Sequence, residues 1–198
     1  MAPKPSVQKE RREEILQAAR RCFSQHGYHE TTMEEVAVAA NLSKGLIYYY
    51  FKSKQELFLA LLDSWFAQFD LAWQEVLASG SAEERLRRLA QLDITEIEES
   101  ADLSNLLLEF WAHAGREPAL IGRFHQALSR YRQLLADVIA AGVQAGEFRA
   151  VDPWLSAVGL LAAYDGLWLH WMIDPQGAPI RETGEVLTEN LLVGLKRK

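Results

Sequence analysis

Between residues 31 and 54 the chain carries two helix start signals so close together that only two short helices and a tight turn fit. Thr32 with Glu35 has the pattern of a capping box, and Met33, Val36, Ala37 and Ala40 recur at i, i+3, i+4 and i+7. Asn41-Leu42 then makes a turn, and Ser43 is placed to cap a second helix whose first turn Gly45 keeps open to close approach. Ile47 and Phe51, four apart, share one face and predict how that helix is held to a small core. The result is a helix-turn-helix. Its packing turns Lys44, Tyr48, Tyr49 and Tyr50 partly outward, a quantity of aromatic surface that needs a cover. A DNA duplex supplies one, because lysine reads guanine edges and tyrosine touches thymine methyls and phosphates.

Gly27-Tyr28, Thr31-Thr32, Val36-Ala37, Leu42-Ser43-Lys44-Gly45, Ile47-Tyr48, Tyr50-Phe51 and Lys54 with Glu56-Leu57 occur in the order of a known signature. Together they resemble the amino-terminal module of the TetR family of bacterial transcriptional regulators. The resemblance covers about the first sixty residues; the remainder is similar only in length and helical character. It implies a homodimer on a palindromic double-stranded operator. Carried over position by position, it implies Lys44, Gly45, Tyr48 and Tyr49 facing the major groove, with Thr32, Ser43, Tyr50 and Lys54 holding phosphates. Local electrostatics agree for Thr32 and Ser53-Lys54, which open helices. Each tyrosine has the alternative of packing on the first or fourth helix. Lys44 alone does not define the operator.

The net charge of −6 is unevenly distributed. Residues 1–54 carry nine Lys/Arg against six Asp/Glu, a balance of +3, while the rest carries twelve against twenty-one, a balance of −9. A basic head on an acidic body suits a DNA binder whose body should not adhere to DNA. Lys4, Lys9, Arg11 and Arg12 form either an arm toward phosphates or a solvated tail. The first fourteen residues are charged and polar, unlike a secretory leader, and no apolar run is long enough to span a bilayer. A cytoplasmic, nucleoid-associated protein without membrane contact is expected. The single cysteine, Cys22, falls on the apolar face of the first helix and reads as a packed thiol.

Taken in order, the pattern predicts helices over about 7–26, ended by Gly27, then the two of the helix-turn-helix. A long one follows over about 54–77, opened by a second capping box of Ser53 and Glu56. Others are predicted over about 81–99, 103–115, 117–145, 152–173 and 180–196, with Asp152-Pro153 opening the eighth. The expectation is an all-α chain of about nine helices: a DNA-binding domain over 1–54 and a ligand-binding and dimerisation domain over 55–198, linked by the long fourth helix.

Two features of the body bear on function. Trp154, Val158, Leu161, Trp171, Leu187, Leu191 and Leu195 on the last two helices give more apolar surface than a monomer should expose. Gly159, Ala162, Ala163 and Gly166 permit close helix approach. The resemblance implies a four-helix bundle at the dimer axis, with some of these residues filling the subunit core instead. Second, Trp65, Phe69, Trp73, Phe110, Phe124, Leu128, Tyr131, Tyr164 and Trp168 provide apolar walls, among which Glu109, His113, His125 and Asp165 are isolated polar groups. That combination describes a small-molecule pocket. Each polar residue has the alternative of a satisfied core group, and Glu109 with His113 could bond to one another. Carboxylates among aromatics point to a small, cationic, amphipathic effector, whereas Arg123, Arg130 and Arg132 would suit an anionic head, and the sequence leaves both open.

The function expected is a ligand-responsive repressor without enzymatic activity, cofactor or metal. Two alternatives belong to other classes: a structural DNA-coating protein without effector, and a helical enzyme using Glu109 with His113. The second lacks a third metal ligand, a nucleophile motif and a phosphate loop.

Overall fold

A computed structural model describes residues 5–100, 106–108 and 118–196. Their helices are α1 (Pro5–Glu30), α2 (Met33–Ala39), α3 (Lys44–Tyr50), α4 (Lys54–Leu77), α5 (Ala82–Glu99), α6 (106–108), α7 (Pro118–Gln144), α8 (Pro153–Ile173) and α9 (Ile180–Leu195). No strand occurs among the described residues; one antiparallel bridge joins Phe148 to Lys196. No helix of the described residues is long and apolar enough to cross a membrane. The chain divides into two compact units, Met1–Gln68 with Asp102–Ile121, and Phe69–Ala101 with Gly122–Lys198. The division falls inside α4 rather than at its start.

In the first unit, α1 packs on α2 and α2 on α3. The sequence placed the end of α1 at Gly27, and Gly27 does leave helical geometry at φ 78°, after which a further turn runs to Glu30. The buried hydroxyl of Thr31 donates to the carbonyls of Cys22 and Gly27, fixing the corner that follows. Thr32 and Glu35 form the full capping box, and Asn41 takes the left-handed turn conformation at φ 55°. Ile15, Phe23, Val36, Ile47, Phe51, Phe58 and Leu62 are fully buried. Phe58 meets Phe23 and Tyr28 edge-on at ring-centroid distances of 5.8 and 5.3 Å. Cys22 is a free buried thiol whose pKa burial raises, as a packed role requires. The capping box expected at Ser53 and Glu56 is only half formed. Ser53 accepts from Glu56 N, but the Glu56 carboxylate turns to the backbone N–H of Lys52.

In the second unit α9 packs on α5 and α8. Ala90, Ile94, Tyr164, Leu167 and Ile180 form a buried cluster there. Gly184 lets α9 approach α5 closely: a Cβ at that position would lie 2.4 Å from Ile94 Cδ1. Ser81 with Glu84 forms a full capping box on α5, and Asp152 caps α8 at Leu155 N with proline in the first turn. The start signals written in the sequence are therefore used.

Candidate functional site

The second helix of the helix-turn-helix, expected to be the recognition element, is α3. Ser43 Oγ accepts from Leu46 N, and Ile47 and Phe51 are fully buried, which fixes the rotation of the helix about its axis. That rotation leaves Lys44, Gly45 and Tyr49 exposed and Tyr48 and Tyr50 half-buried, with Tyr49 the most open of the three tyrosines at 56%. Nothing lies within 4 Å of a Cβ built on Gly45, so its surface is free for close approach. Tyr49 and Tyr50 meet edge-on at 5.2 Å, and Lys52 Nζ lies 5.9 Å from the Tyr49 ring centroid. An open cleft of about 550 Å³ beside them is lined by Gln8, Lys9, Arg12, Tyr49 and Tyr50. Arg12 lies over the Phe51 ring at 4.3 Å, so the amino-terminal part of α1 is drawn to the residue that ends α3. Lys4 lies outside the described residues.

Two of the residues expected at phosphates make bonds within the chain. Lys54 Nζ donates to the carbonyls of Tyr28, His29 and Thr31 at 2.7, 2.8 and 2.8 Å and sits 4.7 Å over the Tyr28 ring. An ammonium has three donors. Lys54 is therefore a clamp closing the corner after α1. Thr32 Oγ1 is engaged with Glu35 through its cap. Lys44 forms an ion pair with Glu34 across the helix-turn-helix. The hydrogen bond from Lys44 holds the Glu34 carboxyl below its ordinary range, and Glu34 in turn raises the lysine.

In the second unit the structure brings together Phe69, Trp73 and Tyr131. Their ring centroids are 5.8 Å (Phe69–Trp73), 5.4 Å (Phe69–Tyr131) and 4.9 Å (Trp73–Tyr131) apart. The buried Trp73 donates its indole N–H to Asp93 Oδ1 at 3.3 Å. Burial pushes the Asp93 carboxyl up to about 8; the Trp73 bond opposes that rise, and Asp165 and Glu96 add to it. Some of the Asp93 surface still reaches solvent. Asp165 is exposed along α8, and its carboxyl rises only to about 6, through partial dehydration opposed by Arg132. Tyr164 is buried in the α5–α8–α9 cluster, where its hydroxyl meets Thr188 Oγ1 at 2.5 Å and the Asp93 charge adds to a pKa already raised by burial.

Asp93 escaped the sequence reading. It lies three residues after Ala90 and four after Leu89, on the stripe those buried residues mark, and a carboxylate there was the available signal.

The other expected ligand residues divide. Phe124, Leu128 and Trp168 are half-buried in the second unit. Trp65 belongs to the first unit, where its ring meets that of Phe66 at a tilt of 44°, with centroids 5.2 Å apart. His125 is exposed, because helical spacing turns it off the face that buries Ala127 and Tyr131. Glu109, Phe110 and His113 lie outside the described residues, as does most of the helix expected over 103–115. Arg130 is engaged with Asp70 at 2.9 Å and lies 5.4 Å from the Tyr131 ring centroid. Among the described residues no group of three or more His, Cys, Asp or Glu is arranged to hold a metal.

Of the residues expected at a dimer interface, Leu161 and Leu195 are buried within the single chain and fill its own core. Trp171, Leu187 and Leu191 pack partly against the α5–α8–α9 cluster, and Val158 is half-buried. Trp154 is exposed, as are Leu155, Leu169 and Ile173 on α8 and Val186 and Val193 on α9. A Cβ on Gly159 or Gly166 would meet nothing within 4 Å in the single chain.

Known proteins resemble this chain over both units. Residues 15–61 match the model of the bacterial regulatory proteins of the tetR family, and residues 82–194 match that of the BetI-type transcriptional repressor carboxy-terminal domain. The HTH-type transcriptional regulator BetI of Escherichia coli K12 is 31% identical over 188 residues, 91% of each chain. A TetR transcription regulator from Haloarcula marismortui superposes with a TM-score of 0.88 at 26% identity, over 96% of this chain and all of that one. A transcriptional regulator from Saccharomonospora viridis, solved in complex with choline, superposes at 0.86 with 26% identity and the same coverage.

Proposed function

Because the chain belongs to the TetR family of bacterial transcriptional regulators, with a BetI-type body, we propose that it is a ligand-responsive repressor acting in the cytoplasm. In this reading a homodimer binds a palindromic operator through residues 1–54, with Lys44, Gly45, Tyr48 and Tyr49 in the major groove. The exposed apolar residues of α8 and α9 meet the second copy, and open space at Gly159 and Gly166 suits that approach. A small organic cation in the body favours a conformation in which the two recognition helices are wrongly spaced, and the operator is released by population shift.

The effector class is a quaternary ammonium alcohol, and choline is the compound to test first, since the Saccharomonospora viridis regulator carries it. The observation that carries this reading is the group of Phe69, Trp73 and Tyr131 with the Asp93 carboxylate on the Trp73 N–H. A trimethylammonium group has no N–H to donate, so ring faces and a nearby negative charge are what attract it. The anionic alternative loses support because Arg130 is already paired with Asp70 and Arg132 acts on Asp165.

Calorimetric titration with choline and with its uncharged isostere 3,3-dimethylbutan-1-ol tests the class. Saturable heat from choline alone is expected, and choline should release DNA from an operator selected out of a random library. Equal binding of the isostere, or release by an acyl anion but not by choline, would overturn it. Operator binding that no small molecule relieves would favour a structural DNA-binding protein.

A further inference from the structure

The helix-turn-helix pairs one carboxylate with Lys44, which the proposed docking turns to the major groove. Glu34 stands in the first turn of α2 beside Glu35, but the two do different work. Glu35 is consumed by the Thr32 cap, while Glu34 reaches across the turn to Lys44 at the start of α3. Both partners remain well exposed, with side chains 48% and 66% accessible, so the pair adds little to stability. Its effect falls on DNA binding. Each DNA phosphate repels Glu34, and a lysine whose charge is locally balanced contributes less to the counterion release that drives nonspecific binding.

We propose that Glu34 is a specificity-determining residue that works jointly with Lys44 on one G·C base pair, or two adjacent ones, in each half-site. Lys44 donates to guanine O6 and N7, and Glu34 accepts from a cytosine N4 amino group, the one major-groove donor that cytosine offers. Away from such a pair, the Glu34 charge faces acceptors and phosphates with no compensating donor. Glu34 therefore weakens binding to unrelated sequence more than binding to the operator. The proposal rests on the placement of α3 against the major groove.

Selection from a random DNA library is run first with the full-length wild-type dimer. A wild-type protein that selects no motif refutes that placement itself, and the proposal with it. Given a motif, the same selection is repeated with Glu34→Gln and Glu34→Ala, and affinities for the wild-type operator and for random duplex are measured across salt concentrations. The expected result is loss of the G·C preference at one or two positions of each half-site in both variants. Random-sequence affinity should rise several-fold with a salt slope steeper by about one, and the operator-to-random ratio should fall about tenfold. Unchanged motifs and ratio would overturn the proposal. So would a parallel loss of operator and random binding with unaltered melting, since Glu34 would then only position α3.

Discussion

The two units build their chemistry over different sequence distances. In the amino-terminal unit the recognition helix is set by bonds spanning three residues, Thr32 to Glu35 and Ser43 to Leu46, and by an ion pair across one short turn. Lys44, Gly45 and Tyr49 stand exposed on a small core. In the body the aromatic group is closed by Trp73 on Asp93, 20 residues apart, and bordered by Arg130 on Asp70, 60 apart. There the proposed ligand contacts are themselves core residues. Binding and stability should therefore be separable in the first unit and inseparable in the second.

The sharpest way to break this comparison is Trp73→Ala. Trp73 is 1% exposed, and truncation should cost about 3–5 kcal/mol of folding stability and abolish choline binding together. Chemical denaturation and calorimetry on one preparation check both. Stability held while binding is lost would show that the indole is not a core member.

Tyr49→Ala is the counterpart in the other unit. Operator affinity should weaken by about 1–3 kcal/mol, while stability stays within about 0.5 kcal/mol and the dimer is unchanged. Anisotropy, thermal melting and sedimentation report these separately. Coupled losses would make the units alike.

A smaller effect comes from Asp93. Its folded-state pKa of about 8 lies above the ordinary 3.8, so the folded protein holds this proton more tightly than the unfolded chain does. The stabilisation from that proton is complete below the ordinary pKa and is lost as pH rises toward 8. Choline prefers the carboxylate, so its affinity should move the other way, rising by up to about tenfold per pH unit below 8 and levelling above it. The groups that act on it are Trp73, Asp165 and Glu96, with Tyr164 alongside and Arg132 acting on Asp165. Asp93→Asn should flatten both profiles, and a wild-type affinity that is flat from pH 6 to 8 would exclude proton-linked binding.

The same contrast explains which parts of the molecule were legible. The Thr32, Ser43, Ser81 and Asp152 caps and the Gly27 break were readable because each depends on residues within a turn of one another. The carbonyl clamp of Lys54 was not legible, since its three partners arrive from 23 to 26 residues away. Leu161 and Leu195 resembled interface residues because apolar composition does not distinguish a surface shared with a second copy from the interior of the first.

The sequence by itself determined the all-α architecture, the helix-turn-helix and the distribution of charge between head and body. Those depend on periodicity, capping and composition, all of which are local. Only the tertiary structure decided that Asp93 sits at Trp73, that Lys54 is a clamp, and that Glu34 answers Lys44. The physical reason is that desolvation and hydrogen bonding depend on which groups the packed helices bring together, and helical periodicity fixes a face without choosing its partner.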